Sequence, residues 1–184
     1  LVKKGANYHT ILLPTPAGGE PRAAAFAKAE LKTLEEFYFG GTHLCHQFEE
    51  NRAAQVDSLF AYAEGKWTIK DILLHLIDAE RTFAYRALRF ARNDNTELPG
   101  FEENSYVDEA KANKRSIQDL LTELLVVRQA SLSLFKSFSE EQLLRKGIAS
   151  NNPMSVRALG FIIIGHQNHH QKVFEERYLL QNSN

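Results

Sequence analysis

The chain has 184 residues, 43% of them apolar, which is enough for one domain with a substantial core and excludes a disordered polymer. Its 22 Lys and Arg residues nearly balance 23 Asp and Glu residues, for a net charge of -1. This balance argues against a nucleic-acid binder that relies on neutralising phosphates.

Residues 1–35 are predicted to form a partly irregular N-terminal extension, because prolines and glycines cluster over 14–21. Residues 36–184 are assigned to a single domain. Composition favours helix over 22–39, Gly40-Gly41 interrupts it, and a further helix is expected from about Thr42 towards Phe60. The pattern does not decide whether these are one kinked helix or two.

The next helix is predicted from Thr68 to about Arg92, without Pro or Gly. Thr68 and Asp71 have the spacing of a capping box, with Asp in place of the usual Glu. A polar loop follows to about Tyr106, and a third helix is expected over 108–137, with leucines on its apolar face.

Residues 139–142 indicate a short capped helix, and 147–153 are predicted to be a loop. Ser155 should cap the last helix, which is expected to continue to about Leu180. No alternating pattern predicts a strand. The long helices, with one long crossover loop between the second and third, predict an all-α four-helix bundle.

Three histidines are the candidate metal ligands. His166 and His170 stand four residues apart, so a helix places both imidazoles on one face. They are in register with the apolar stripe of Leu159 and Ile163, which should face the interior. His75 sits among apolar residues of the second helix. Three imidazoles from two helices would leave open positions on a metal, as catalytic sites do.

Other arrangements are compatible with these histidines. They could be half-buried residues that pair with carboxylates, without a metal. His43 and His46, three residues apart, form a rival pair. His169 points about 100° away from His170 around the helix, and His9 is expected to face solvent. Cys45 is interpreted as a small buried residue rather than a nucleophile.

Asp78 follows His75 by less than one turn on the same helix face. It could accept a hydrogen bond from an imidazole N–H and fix the tautomer that binds a metal. It could equally be a surface partner of Arg81, three residues further on. Both interpretations stay open on the sequence alone.

Cellular location is predicted from two features. A single cysteine excludes an internal disulfide and fits a reducing compartment. No run of eighteen apolar residues exists, so no membrane span is expected. The chain is therefore expected to be cytoplasmic, with a small-molecule substrate and with neither nucleic acid nor membrane as partner.

Two blocks of sequence resemble the DinB/YfiT-like superfamily of metalloenzymes. The first runs from Gly65-Lys66-Trp67 through His75 to Phe101, and the second from Ser155 through Gly165-His166-Gln167-Asn168-His169-His170 to Leu179. The resemblance covers roughly 62–180. It implies an up-down-down-up four-helix bundle, a homodimer, and a divalent metal held by His75, His166 and His170.

The resemblance also implies an activity. Relatives include transferases that use bacillithiol or mycothiol and a maleylpyruvate isomerase, so the expected function is a metal-dependent S-transferase or hydrolase for a small molecule. Zinc or nickel suits imidazole ligands, and a low-molecular-weight thiol is a candidate co-substrate. Similar sequences often carry Glu where this chain has Gln167, a candidate for orienting a ligand. This departure supports the alternative of a non-catalytic metal-binding or stress-response bundle.

Overall fold

The structure, a computed structural model, describes residues 58–179. These residues form α1 (Ile69–Ala91), α2 (Glu103–Ala110), α3 (Ile117–Lys136), α4 (Glu140–Leu144), β1 (Lys146–Ala149), β2 (Asn152–Ser155) and α5 (Val156–Phe174). A 3-10 turn (Ala112–Lys114) precedes α3, and a π-helical turn (Glu175–Leu179) follows α5. Several features of the sequence analysis lie outside the described residues: the predicted extension, its boundary at 35/36, and His9, His43, Cys45 and His46.

Side chains cap the helices that the sequence predicted. Thr68 is the N-cap of α1, and it forms a reciprocal capping box with Asp71. Ser155 caps α5 by accepting from the Ala158 N–H at 3.1 Å. These caps satisfy backbone donors that the first helical turn leaves without a partner. They fix where the two histidine-bearing helices begin.

Helices α1 and α3 lie side by side and run in the same direction. Lys70, in the first turn of α1, donates to the carbonyl of Arg115 just before α3 at 2.7 Å. Further along both helices, Glu80 of α1 bonds Arg128 of α3. Parallel neighbours cannot be joined by a tight turn, so the chain crosses over between residues 92 and 116. The structure thus contains the predicted crossover.

Helix α5 runs against both of its neighbours. His75, early in α1, meets His166, late in α5. At the other end of the pair, Phe90 of α1 shares a core cluster with Val156 at the start of α5. Helices α1 and α3 thus run in one direction and α5 runs in the opposite direction. The last three helices of an up-down-down-up bundle have these same relative directions.

The crossover contains a helix that the sequence analysis assigned differently. A single helix was predicted from Asp108 to Ser137, but α2 ends at Ala110 and α3 begins only at Ile117. Lys111 adopts a left-handed conformation with φ 53°, which ends α2. Ser116 then caps α3 by accepting from the Asp119 N–H. The leucine periodicity extends only over α3, so the predicted start was wrong.

The predicted loop over 147–153 is a β-hairpin. Strands β1 and β2 pair antiparallel, with Lys146 opposite Ser155 and Ala149 opposite Asn152. Ser150 and Asn151 have φ of 51° and 61°, as a tight hairpin turn requires. A Cβ on Gly147 would overlap the buried ring of Phe90. Four-residue strands are too short to show the alternation that predicts a strand.

Buried Arg86 ties the crossover to the hairpin. Its Nη2 donates to the Pro99 carbonyl at 2.9 Å and to the Ser150 hydroxyl at 3.0 Å. Leu98 and Ala149 form an isolated β-bridge beside these bonds. The segment that leads to α2 is therefore held against the end of α1.

The apolar core divides into two clusters along the bundle. One cluster contains the first turns of α1, the first half of α3 and residues at and beyond the end of α5. The other cluster contains residues from the opposite ends of these three helices. Buried polar residues lie between them: His75, Glu80, Arg128, His166 and Gln167. No helix within 58–179 is both long and apolar enough to cross a bilayer.

Candidate metal centre

Three imidazoles converge between α1 and α5. The Nε2 of His166 lies 3.0 Å from the Nε2 of His75 and 3.1 Å from the Nε2 of His170. One ligand nitrogen from each residue falls within 4.8 Å of the others. The structure therefore brings together the three histidines that the sequence selected, with His166 at the centre of the group.

Hydrogen bonding alone accounts poorly for this arrangement. An imidazole nitrogen carries either one proton or one lone pair in the ring plane, so His166 Nε2 can form one good bond. The second close Nε2 neighbour then either shares that proton or lone pair at a poor angle or faces it with a group of the same kind. A cation at the centre would make all three contacts favourable. Tetrahedral ligation at about 2.05 Å separates nitrogens by roughly 3.3 Å, which is near the 3.0 Å and 3.1 Å observed for two of the three pairs.

Burial keeps these imidazoles neutral. His75 is 3% exposed and His166 is 4% exposed. Desolvation lowers the pKa of His75 from 6.5 to about 4. Desolvation first, and the neighbouring histidines second, lower the pKa of His170 to about 3 and that of His166 to about 2. Neutral imidazole is the form that binds a metal, so protons compete weakly for this site.

These pKa values predict a pH-dependent stability of the metal-free protein. The unfolded chain protonates its histidines below about pH 6.5, whereas the folded chain keeps these three neutral until about pH 4. Because the unfolded state then binds more protons, the free energy of unfolding should fall as the pH drops from 6.5 towards 4. Urea unfolding of chelator-treated protein at pH 7.5 and 5.5 measures the fall.

A matched pair of variants assigns this fall to the buried imidazoles. His75→Leu should reduce it, since one depressed pKa is removed. His169→Ala should change it little, because His169 is exposed and is the smallest named cause of the lowered pKa values of His166 and His170. An equal fall in His75→Leu and the wild type would contradict the assignment.

Aromatic rings close the site on two sides. Trp67, just before the α1 cap, lies over His75 with ring centroids 4.7 Å apart and stacks on His170 at 6.3 Å. Phe83 meets His166 edge-on at 6.1 Å. The Tyr178 hydroxyl donates to the Trp67 carbonyl at 2.6 Å and so holds the indole in place. These rings cover the histidine cluster on those two sides.

A cleft opens on the side of His75 that faces the crossover. Its lining includes His75, Asp78, Phe101 and Tyr106, and it has no room for a water-sized molecule in this structure. The rings of Phe101 and Tyr106 are tilted together, with centroids 5.0 Å apart. The cleft thus combines a candidate ligand histidine, a carboxylate and an aromatic wall.

Asp78 lines this cleft and also contacts Arg81, whose Nη1 lies 3.7 Å away. Burial raises the pKa of the Asp78 carboxyl, although the charges of Arg81 and Arg115 lower it. Of the two roles that the sequence left open, the structure shows the contact with Arg81, and the hydrogen bond to an imidazole stays a prediction. A half-buried carboxylate with a raised pKa beside a cleft is suited to accepting a proton from a substrate.

Gln167 points into a buried cluster rather than into the cleft. Its Oε1 accepts from Nη2 of Arg128 at 2.6 Å, and Arg128 also pairs with Glu80. The pair of Glu80 and Arg128 was not predicted from the sequence. The sequence contains one sign of it, because Arg128 shares a face of α3 with Leu121 and Leu124, so that its guanidinium falls on the apolar stripe.

Comparison with known proteins supports the fold. The sequence profile of the DinB superfamily matches residues 52–174. The structure of YfiT from Bacillus subtilis, described as a probable metal-dependent hydrolase with an unusual four-helix bundle topology, superposes with a TM-score of 0.62 at 17% identity. The match covers 88% of this chain and 89% of YfiT. It confirms the predicted four-helix-bundle fold. No curated protein matches the sequence.

Proposed function

Because this chain belongs to the DinB superfamily, we propose that it is a divalent-metal-dependent hydrolase of a small molecule. The observation that carries the proposal is the convergence of three imidazole nitrogens within 4.8 Å, from the buried His75 and His166 and the half-buried His170. The description of YfiT as a probable metal-dependent hydrolase supports the same reaction class. His75, His166 and His170 would hold the metal, with zinc or nickel as the candidates that suit imidazole.

The chemistry of the donor set fits hydrolysis. A divalent cation held by neutral imidazoles would keep its full charge and supply Lewis acidity. The nearest buried carboxylate on α1, Glu80, is already paired with Arg128. None of the three donors brings a compensating negative charge.

The cleft beside His75 would hold the substrate. Because the cleft has no room for a water-sized molecule in this structure, a small substrate would have to widen it. Phe101 and Tyr106 would contact an apolar or planar part of the substrate. Asp78 would accept a proton at its carboxylate, which fits its position in the cleft and its raised pKa.

Transfer of a thiol is a second candidate. The same neutral donor set that favours hydrolysis would also favour a thiolate at pH 7. A bacillithiol-like or mycothiol-like co-substrate would then replace water as the nucleophile. The alternative without catalysis, a metal-binding bundle, is supported by Gln167 standing where similar sequences often carry Glu.

A reconstitution assay tests the proposal. Chelator-treated protein should be inactive towards a panel of p-nitrophenyl esters and aryl amides, and stoichiometric zinc or nickel should restore turnover. Asp78→Asn should retain the metal and lose about 100-fold or more in kcat, the usual contribution of a positioned general base. Asp119→Asn, which removes an exposed carboxylate of α3, is the matched control and should keep full activity.

Each other outcome assigns a different function. Turnover that requires an added thiol would overturn hydrolysis in favour of S-transfer. Bound metal without turnover of any ester, amide or thiol pair would favour the non-catalytic bundle. Absence of metal binding would leave the histidine cluster a purely structural feature.

A further inference from the structure

Three polar side chains from three helices meet in the middle of the bundle. Nε of Arg128 on α3 donates to Glu80 Oε1 of α1 at 2.9 Å, and its Nη2 donates to Glu80 Oε2 at 2.9 Å. The same Nη2 donates to Gln167 Oε1 of α5 at 2.6 Å. Their exposed fractions are only 2%, 5% and 6% for Glu80, Arg128 and Gln167. We call these three residues the Arg128 bridge.

The bridge joins the two helices that carry the histidines. Gln167 follows His166 directly on α5, and Glu80 lies five residues beyond His75 on α1. A guanidinium that bonds both at once fixes the depth and rotation of α5 against α1. The Nε2 atoms of His75 and His166 must stay about 3 Å apart, so a small slide of α5 would separate them.

Apolar packing also joins α5 to α1, since both helices contribute to each core cluster. Between α3 and α5 the ring of Phe135 packs on Gly160. Hydrophobic contacts are non-directional, whereas a bidentate pair between guanidinium and carboxylate has a defined geometry. Buried polar groups are known to set the register between helices.

Gln167 suits this role because it carries no charge. The charges of Glu80 and Arg128 already balance, so an amide lets the guanidinium reach α5 without adding a buried charge. A carboxylate at this position would leave the cluster with a net negative charge next to His166. Gln167 thus keeps the Arg128 bridge neutral.

We propose that Glu80, Arg128 and Gln167 are positioning residues that set the geometry of the histidine site. They act through the alignment of α5 with α1 and do not themselves bind the metal. This inference rests on the proposed metal centre and adds the element that aligns it. It predicts that the bridge changes metal affinity separately from its effect on stability.

The test replaces the whole bridge with apolar side chains. Glu80→Leu/Arg128→Met/Gln167→Leu removes every charge and polar group together, a change that proteins often accept without loss of stability. Zinc affinity, measured by competition with a chromophoric chelator, should weaken about 10-fold to 100-fold, as it does when outer partners of metal ligands are lost. The far-ultraviolet circular dichroism spectrum should stay that of the wild type.

A surface pair between the same two helices is the control. Arg81 of α1 and Glu123 of α3 lie 2.7 Å apart with half of the arginine side chain exposed. Arg81→Gln/Glu123→Gln should keep zinc affinity within about threefold, because exposed ion pairs contribute little. A bridge variant that binds zinc as tightly as this control would overturn the inference.

A milder variant keeps the test decisive if the triple variant does not fold. Gln167→Met leaves the pair of Glu80 and Arg128 intact and cuts only the link to α5. It should weaken zinc binding about 10-fold, and unchanged affinity would overturn the inference. Failure of the wild type to bind zinc would reject the proposed metal centre and the inference together. Equally tight binding by the wild type and by Gln167→Met would reject the inference alone.

Discussion

Replacement of His166 with alanine should abolish stoichiometric metal binding. His166 is the shared neighbour of the other two imidazoles, with its Nε2 3.0 Å from that of His75 and 3.1 Å from that of His170. The variant leaves two donors on different helices without the central one. Since loss of an outer partner alone costs about 10-fold to 100-fold, loss of this ligand should weaken zinc binding by more than about 100-fold.

Metal analysis after dialysis and calorimetric titration with zinc measure this effect. His169→Ala is the matched control, because His169 is exposed on the same helix and lies outside the convergent group. It should bind one equivalent with the affinity of the wild type. Equal metal content in the two variants would remove the three-histidine site.

Replacement of Arg128 alone should produce the largest loss of stability. Arg128→Met leaves the carboxylate of Glu80 buried at 2% exposure without its cation. Removal of one partner from a buried ion pair costs about 3–5 kcal/mol, because the remaining charge is desolvated and uncompensated. The free energy of unfolding from urea denaturation of the metal-free protein measures this loss directly.

The surface provides the comparison for this variant. Arg81→Met removes the guanidinium of an exposed pair and should change the free energy of unfolding by at most about 1 kcal/mol. Addition of Glu80→Leu to Arg128→Met should recover much of the stability, since no charge then stays buried alone. No recovery in the double variant would show that the loss comes from packing instead.

The sequence predicted those parts of the fold that local chemistry controls. The capping box at Thr68, the cap at Ser155 and the apolar periodicity of α3 placed the three long helices. The spacing of His166 and His170 put both on one face, the apolar surroundings of His75 on the second helix selected it as their partner, and the resemblance implied the same three residues. The homodimer, the cytoplasmic location and the domain boundary at 35/36 stay predictions.

Features that depend on tertiary contacts were harder to predict. The hairpin exists because Gly147 lets β1 approach the ring of Phe90, a contact between residues far apart in the chain. The break before α3 needs the left-handed backbone at Lys111, which lysine adopts without any sequence signal. Both features are stabilised by neighbours that the local pattern does not contain.

The pair of Glu80 and Arg128 illustrates the same limit for the polar core. Charged residues on a helix usually face solvent, so each side chain alone indicates a wet face. Their burial follows only from the parallel packing of α1 on α3, which brings residues 48 positions apart together. Without knowledge of this packing, Arg128 could not be recognised as the partner of Gln167.

The indole of Trp67 gives this centre an optical reporter. It is the only tryptophan in the chain, and its ring lies 4.7 Å from that of His75. Zinc has a filled d shell and should leave the ultraviolet emission nearly as bright, whereas open-shell nickel at this distance should quench it strongly. Fluorescence intensity would therefore distinguish the two metals without labelling.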